Sequence, residues 1–597
     1  MVAYGAPCPN FVRMPFWHDT LAVWEAAWQA STLPAFPRIT LTPPDQKGVL
    51  TFNIFPLLRA FKGDADAAAR AVLAPVAHLA HVEVIRGYVN VSFSLSFWQE
   101  FLREVLTRAT EGYTHLRLGR AEKLMIEYPS PNTNKPLHLG HLRNLFLGES
   151  VARLWEALGA RIVRANLVND RGIHISKSML GWQKFFAPQT PETAGRKGDH
   201  FVGDCYVAFE KAYKAQVDEL RQKGMSEEEA MVQAPLFQEA QQLLRAWEAG
   251  DPDTLHLWRT MNAWVYKGFE ETFQRLGIRF DRIYYESETY TLGKKVVEEG
   301  LQRGIFYKEE DGSVWVDLSD EGLGKKLLLR RDGTSVYLTQ DLGTADLKFQ
   351  EYPDLTRSVY VIGNEQDHHM RLLVAILRRL GRPYAEAIYH LSYGMVELPT
   401  GRMKTREGTV VDADDLLEEM HDRALELVEE DLPPQERHAI AEAVGQAALR
   451  FYLLRVDPTK NIVFDPAESI DIKGFTGPFL QYGYVRAKRL LEKAAEKGYG
   501  PAPEALPSAL HPLEERLLQQ LWALPAQLEQ AARSFSPSIV AHYGYELTRA
   551  YNELYQSLPV LAAGEEERAF RLAITAAYLT AMGRVLETLT LPIPERM

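Results

Sequence analysis

The chain has 597 residues, 46% of them hydrophobic and 24% charged, and a formal net charge of −12. That length is too great for one ordinary core and predicts several domains, while the composition excludes a disordered or fibrous chain. The acidic balance argues against a nonspecific nucleic-acid binder, which would be basic overall, and leaves RNA only a local basic face.

In chain order, residues 1–112 read as a small α+β unit. Apolar runs at 49–55 and 88–93 predict strands, a helical pattern fills 65–79, and a strand at 82–85 can pair with 88–93 across Arg86-Gly87. The charged stretch 107–120 reads as a linker. A βαβ signal follows: a strand at 124–128, a turn rich in Pro and Asn at 129–136, a helix over 138–158 with Gly159 placed to end it, and a second strand at 161–168. This order predicts an α/β, Rossmann-like parallel sheet. The middle unit spans 113–435, with 170–335 read as an insertion of charged helices and the sheet resuming at 358–362 and 387–392 around a helix near 370–380. From 436 to 597, apolar spacing of three and four predicts an all-α bundle of helices at 439–454, 478–497, 513–532, 539–558 and 566–589.

Two cysteines, Cys8 and Cys205, make neither a disulfide framework nor a zinc site. The first residues lack the basic and apolar pattern of a signal peptide. The most apolar helical stretch, 571–584, holds about a dozen uncharged residues where a bilayer needs about 20. A reducing cytoplasm and no membrane are expected.

The densest chemistry is Ser130-Pro131-Asn132-Thr133-Asn134-Lys135-Pro136-Leu137-His138-Leu139-Gly140-His141, at the strand-to-helix turn. His138 and His141, three apart on a first helical turn, project to one side. The helix N-terminus adds free N–H groups and partial positive charge suited to phosphate, and Gly140 lets a flat base approach the backbone. Read alone, the histidines could also merely cap and pack. Gly401-Arg402-Met403-Lys404-Thr405-Arg406-Glu407-Gly408 is a glycine-flanked loop with three cations, able to close over a triphosphate or simply be solvated. Tyr337 and Asp341 would share a helical face. A carboxylate matches a planar guanidinium, although read alone they form an ordinary surface pair. In the bundle, Phe479 and Tyr482 stand near Arg486, Lys488, Arg489, Lys493 and Lys497, a mixture that suits unpaired bases and phosphates or a solvated face.

The phrase at 130–141 resembles the HIGH motif of class I aminoacyl-tRNA synthetases, and the arginyl members in particular. By position the loop at 401–408 resembles the KMSKS loop, with both motif lysines replaced. Lys135, just before the histidines, matches the compensating lysine of arginyl enzymes. The resemblance implies an arginine–tRNA ligase whose substrates are arginine, Mg-ATP and tRNA(Arg), with no resident metal, acting as a cytoplasmic monomer. Its catalytic set would be His138, His141, Lys135, Lys404 and Arg406. ATP would meet Gly140, Met395 and Val396 as well as both histidines. Tyr337 and Asp341 would hold the guanidinium, Asn132 and Gln366 the α-amino end, and Glu127 would line the same pocket. His369 matches a further histidine of the pattern, and Asp170 a structural position. Tyr482, Arg486, Lys488 and Arg489 would meet tRNA in an anticodon-binding domain, and the N-terminal unit, through 87–93, would reach the tRNA elbow. The rivals are another class I synthetase, a small nucleotidyltransferase with the same His-x-Gly-His device, and an inactive tRNA-binding paralogue.

Overall fold

The computed structural model describes Gln29 and residues 39–41, 49–74, 80–85, 87–109, 121–399, 411–505, 507 and 509–597. Strands β1 (Ile39–Leu41), β2 (Leu50–Asn53), β3 (Ala80–Ile85) and β4 (Tyr88–Phe93) form an antiparallel sheet in the order β1-β2-β4-β3. The expected hairpin is present, with Ile85 opposite Tyr88 and Gly87 at a left-handed φ of 84°. Helix α1 (Ala65–Leu73) starts where Asp64 accepts from the Ala67 N–H at 2.9 Å. Helix α2 (Leu95–Thr107) buries Phe97, Trp98 and Phe101. Phe93 meets Trp522 of the C-terminal helices edge-on, 5.0 Å between centroids, so this unit is seated on the bundle.

The central sheet starts with β5 (Lys123–Glu127), helix α3 (Leu139–Ala157) and β6 (Arg161–Val168). α3 ends where Gly159 takes a φ of 88°. Almost every α3 side chain is buried, because the helix lies between the sheet and the bundle. Helices α4 (Gly198–Gln222) and α5 (Pro252–Arg275) lead to β7 (Arg282–Tyr285). A separate antiparallel sheet, β8 (Tyr307–Lys308), β9 (Val314–Leu318) and β10 (Gly324–Leu329), comes next. Helix α6 (Tyr337–Glu351), β11 (Arg357–Gly363), helix α7 (Asp367–Arg379) and β12 (Ile388–Tyr393) complete the core.

The five parallel strands run in the order β12-β11-β5-β6-β7. Chain order therefore reverses at β5, and the crevice outside the carboxyl ends of β5, β6 and β11 is where such sheets hold ligands. Strands within 170–335 depart from its reading as charged helices: β8, β9 and β10 form their own sheet, and β7 joins the central one. β7 lies inside the stretch 170–335 taken as an insertion, yet it pairs with β6, Ala165 opposite Arg282. Its four residues, Arg-Ile-Tyr-Tyr, form an edge strand without the apolar run that marks a buried one.

A two-stranded parallel pair, β13 (Val396–Glu397) with β14 (Ile462–Val463), joins the core to the helical part. That part comprises α8 (Ala413–Leu425), α9 (Pro434–Leu454), α10 (Gly477–Glu496), α11 (Pro512–Arg533), α12 (Ser538–Ser557) and α13 (Glu565–Thr588). Among the described residues, α13 is the one helix long and apolar enough to cross a membrane, but 67% of its apolar window is buried inside the protein. Cys205 is a buried free thiol, and Cys8 lies outside the described residues.

Candidate active site

Residues 128–138 cross the end of the sheet, tied to β6 through main-chain bonds. Asn169 N–H donates to the Pro131 carbonyl at 2.9 Å, and Thr133 N–H to the Asn169 carbonyl at 3.0 Å. The turn delivers His138 as the N-cap of α3, with its N–H donating to His141 Nδ1 at 3.1 Å. The two rings lie 3.8 Å apart. A Cβ on Gly140 would sit 3.0 Å from His138 Cε1, so glycine sets the ring's position. Burial, with Lys135 nearby, pushes His138 down to about 4. His141 is held well below the usual histidine value by burial, then by His138 and Lys135. Both rings are therefore neutral at physiological pH. Since His141 Nδ1 accepts a bond, its proton sits on Nε2, a donor for an anionic ligand. Burial also lowers the Lys135 ammonium. The capping and packing role is thus real, and it leaves the ring donors unspent.

Asp341 lies on the first turns of α6, its Oδ2 2.5 Å from His369 Nε2. That bond raises His369 above the ordinary histidine value against the effect of burial. Tyr337, one turn earlier, is 75% exposed and so has a free ring and hydroxyl. The sequence reading missed Glu286, just past β7, on a short helix (Glu286–Thr289) that packs on α6. Burial raises its carboxyl to about 7, with Arg171 opposing and Asp170 and Asp341 adding to the rise. Glu286 and Asp341 thus lie within electrostatic reach of each other near the carboxyl ends of the sheet, where a further cation would relieve their repulsion. The signal available was position: an acidic residue at the carboxyl end of a strand.

Asp170 accepts from Ser287 N–H at 2.8 Å, Ser287 Oγ at 2.7 Å and Tyr266 Oη at 2.8 Å, which ties its carboxylate into the fold. Glu127 is buried at the end of β5, with Oε2 2.6 Å from Lys348 Nζ. Lys348 also lies 3.9 Å from the Tyr360 ring. Burial works against its charge, but Glu127 and Tyr360 outweigh it and hold the ammonium above the ordinary lysine value. Glu127 therefore stands at the carboxyl end of β5 with its charge balanced from within the fold. Lys348→Met would strand that charge and destabilise by about 3 to 5 kcal/mol, whereas pairing it with Glu127→Leu would restore most of the loss; urea unfolding measures both.

Asn132 is exposed and bridged to Asn169, and Gln366 is exposed on a short turn after β11. Both stand at carboxyl ends of the sheet. Met395 uses its N–H on Asn461 Oδ1 and its carbonyl on Ile462 N–H, leaving its exposed side chain for a ligand; Val396 is half-buried. Lys404 and Arg406 lie outside the described residues. A cleft of about 740 Å³ on the outer face of α7 contains none of the expected residues. The Asp199, His200 and Asp414 cluster is served by Lys197, whose Nζ lies 2.6 Å from Asp414 Oδ2, so an ammonium fills the place of a cation.

In the bundle, Arg486 donates to Asn552 Oδ1 at 2.7 Å and stacks between Tyr482 and Tyr555, 4.5 and 5.2 Å from their rings. Lys488 is half-buried and Arg489 exposed. Tyr482 also lines a 210 Å³ apolar cavity with Leu427, Ile472, Arg596 and Met597.

Comparison with known proteins identifies the family. Residues 102–466 match the family of class I (R) tRNA synthetase catalytic domains, and 480–597 match the DALR anticodon binding domain. The chain belongs to the arginyl-tRNA synthetases. It is 48% identical over 568 residues to an arginine–tRNA ligase of Bacteroides fragilis, covering 93% of this chain and 95% of the relative. An arginine–tRNA ligase of Porphyromonas gingivalis is 46% identical over 570 residues with the same coverage. The Thermus thermophilus arginyl-tRNA synthetase structure superposes with a TM-score of 0.77 at 25% identity, covering 96% of this chain and 98% of that one. The Plasmodium falciparum enzyme shares the fold at a TM-score of 0.73 and 16% identity, covering 96% and 97%. Membership makes the chain an aminoacyl-tRNA ligase and its central and C-terminal units those of this family.

Proposed function

We propose that the chain activates arginine with Mg-ATP and transfers it to the 3′-terminal adenosine of tRNA(Arg). The arginine carboxylate attacks the α-phosphorus, the bond to pyrophosphate breaks, and arginyl-adenylate forms. A ribose hydroxyl, the 2′ in this class, then attacks the carbonyl carbon and AMP leaves. The observation that carries the arginine assignment is the pairing of Asp341 with Glu286 at the carboxyl end of the sheet. A guanidinium offers donors along two edges, and two carboxylates answer both. Tyr337 closes the pocket, while Asn132 and Gln366 take the α-amino end. His138 and His141 donate to the phosphates, Gly140 and Met395 border the adenine, and Lys135, with Lys404 and Arg406 from the loop, offsets the pyrophosphate charge.

Tyr482, Arg486 and Arg489, beside the apolar cavity closed by Met597, form the anticodon face in this reading, with Lys488 at its margin. Exposed Phe55 and Tyr88 offer a stacking surface at the N-terminal unit for the tRNA elbow. The enzyme acts as a monomer in the cytoplasm. Arginine-dependent exchange of pyrophosphate into ATP, with and without an arginine-accepting tRNA transcript, tests the proposal. Exchange with arginine alone among the amino acids is expected, and only when tRNA is present. A well-folded protein without exchange in either condition would refute it.

Glu286 also sets a pH dependence. A carboxyl poised at about 7 must be ionised to meet a cation. Arginine therefore binds the deprotonated form and releases a proton as it does so. Its KM should be flat above pH 7 and rise toward about tenfold per unit as pH falls below it. Glu286→Gln should raise KM and remove that slope. Exchange kinetics between pH 6 and 8 check the sign, and a slope that survives the substitution would assign the titration elsewhere.

A further inference from the structure

The turn that carries His138 is also held from outside the parallel sheet. Leu139 N–H donates to the Val411 carbonyl at 2.9 Å and Ala413 N–H to the Leu137 carbonyl at 3.0 Å, an antiparallel bridge that sets His138 opposite Asp412. Asp412 caps α8, its Oδ1 accepting from Asp414 N–H at 2.8 Å and Asp415 N–H at 3.2 Å. The start of α8 and the main chain of His138 are therefore fastened to each other.

Asp414 fixes where α8 starts. Its carboxylate meets three donors on two other helices: Lys197 Nζ at 2.6 Å and His200 Nε2 at 2.9 Å, both at the start of α4, and Thr272 Oγ1 at 3.0 Å on the last turn of α5. Lys197 Nζ also donates to Thr272 Oγ1 at 2.5 Å and lies 3.4 Å from Asp199 Oδ2. Two glycines allow α4 and α5 this approach. A Cβ on Gly198 would lie 2.0 Å from the Trp264 carbonyl oxygen, and one on Gly268 would lie 2.2 Å from Asp199 Oδ1.

His200 thus faces Lys197 and the buried Asp199 on its own helix, Asp412 Oδ2 at 3.7 Å and Asp414 on α8, and Arg196, Glu271 and Arg275 around a cleft of about 370 Å³. Arg275 is paired with Glu442 at 2.9 Å. Burial works against an imidazolium here, but Asp414, Asp412 and Asp199 outweigh it and hold His200 above the ordinary histidine value. Burial opposes the Asp414 charge too, yet His200 and Lys197 keep that carboxyl below its usual range. Burying charge in this way is a costly means of fastening a helix. What it achieves is orientation, since a carboxylate held by donors from two helices cannot turn.

We propose that Lys197 and His200 are positioning residues: through Asp414 they fix residues 411–413, and so fix His138 where it meets the triphosphate. This rests on the synthetase reading above.

His200→Gln keeps an N–H donor and removes the titratable charge. At neutral pH its kcat in tRNA-dependent pyrophosphate exchange should fall about tenfold, as for a slightly misplaced catalytic group. Arginine and ATP KM should stay within about twofold, because neither ligand touches the clamp. Lys197→Gln should show the same split. The pH profile is decisive. As pH rises, wild type loses the His200 proton and with it the charge pairing, so kcat should decline through a limb above the ordinary histidine value of about 6.5. His200→Gln should lack that limb and converge on wild type at high pH. In Asp414→Asn the limb should move to lower pH, because a carboxylate that favours the imidazolium is gone. An active wild type with no such limb, or with one unchanged in both variants, would overturn the clamp alone. So would kcat, both KM values and the thermal midpoint worsening together at every pH, the mark of a merely structural residue. Should His200→Gln fail to fold, the limb in Asp414→Asn decides by the same criteria. A wild type without exchange would overturn the synthetase reading and the clamp together.

Discussion

Replacing Asp341 with alanine raises the arginine KM about 100-fold or more and moves the ATP KM by no more than about threefold, the cost of truncating one partner of a desolvated charge pair. The carboxylate stands on the first turns of α6, fixed through Oδ2 by His369 at 2.5 Å. In the proposed pocket the guanidinium would meet an oriented acceptor, and little side-chain freedom would be lost on binding. Asp341→Asn separates charge from shape. It should retain the bond to His369 and lose most of the arginine affinity. Citrulline, arginine's neutral isostere, supplies the complementary measurement. Wild type should reject it strongly, because it leaves Asp341 and Glu286 without a cation, and Asp341→Asn should narrow that discrimination. The check is exchange kinetics with each amino acid. An arginine KM unchanged in Asp341→Ala would place the guanidinium elsewhere, with Glu286 as the acidic group left to examine.

What could be read from the sequence divides along a physical line. The βαβ turn was legible because its chemistry is contiguous: His138, Gly140 and His141 occupy one helical turn, and Gly159 ends the helix with a left-handed φ. The bundle was legible from spacing, since α9 to α13 hide long apolar faces. Tyr337 and Asp341 were legible as a pair one turn apart. Glu286 was not. It gains its meaning only when β7 docks beside β6 and brings the short helix after it against α6, and four residues of an edge strand carry too weak a pattern to announce that. Glu127 was placed correctly at a strand end, but its partner Lys348 lies on another helix, so the neutralisation of its charge is a tertiary fact. Arg143 reads in sequence as one more helical cation. Its four carbonyl acceptors come from segments 251 to 317 residues away.

His138→Ala lowers kcat for exchange about 100- to 1,000-fold while arginine and ATP KM change little, the scale observed when one donor to a developing charge is removed. The argument depends on the state of the ring. Burial and Lys135 push His138 down to about 4, so in the proposed reaction it would serve as a neutral donor and bring no net charge to the triphosphate. A neutral donor helps most when charge shifts onto the oxygen it faces, which is the transition state and not the ground state. His138 is also the N-cap of α3, and loss of a cap could mimic loss of a catalyst. His138→Asn resolves this, because asparagine caps as well as any residue. Its thermal midpoint should match wild type while kcat remains depressed at least about tenfold. The pH profile gives an independent reading. With both imidazoles neutral from pH 6 to 8, kcat at saturating arginine should show no limb near 6.5. If a limb near 6.5 appears in wild type and disappears in His138→Asn, the working species is the imidazolium, and the helix N-terminus binds phosphate with a full charge in place of a hydrogen bond.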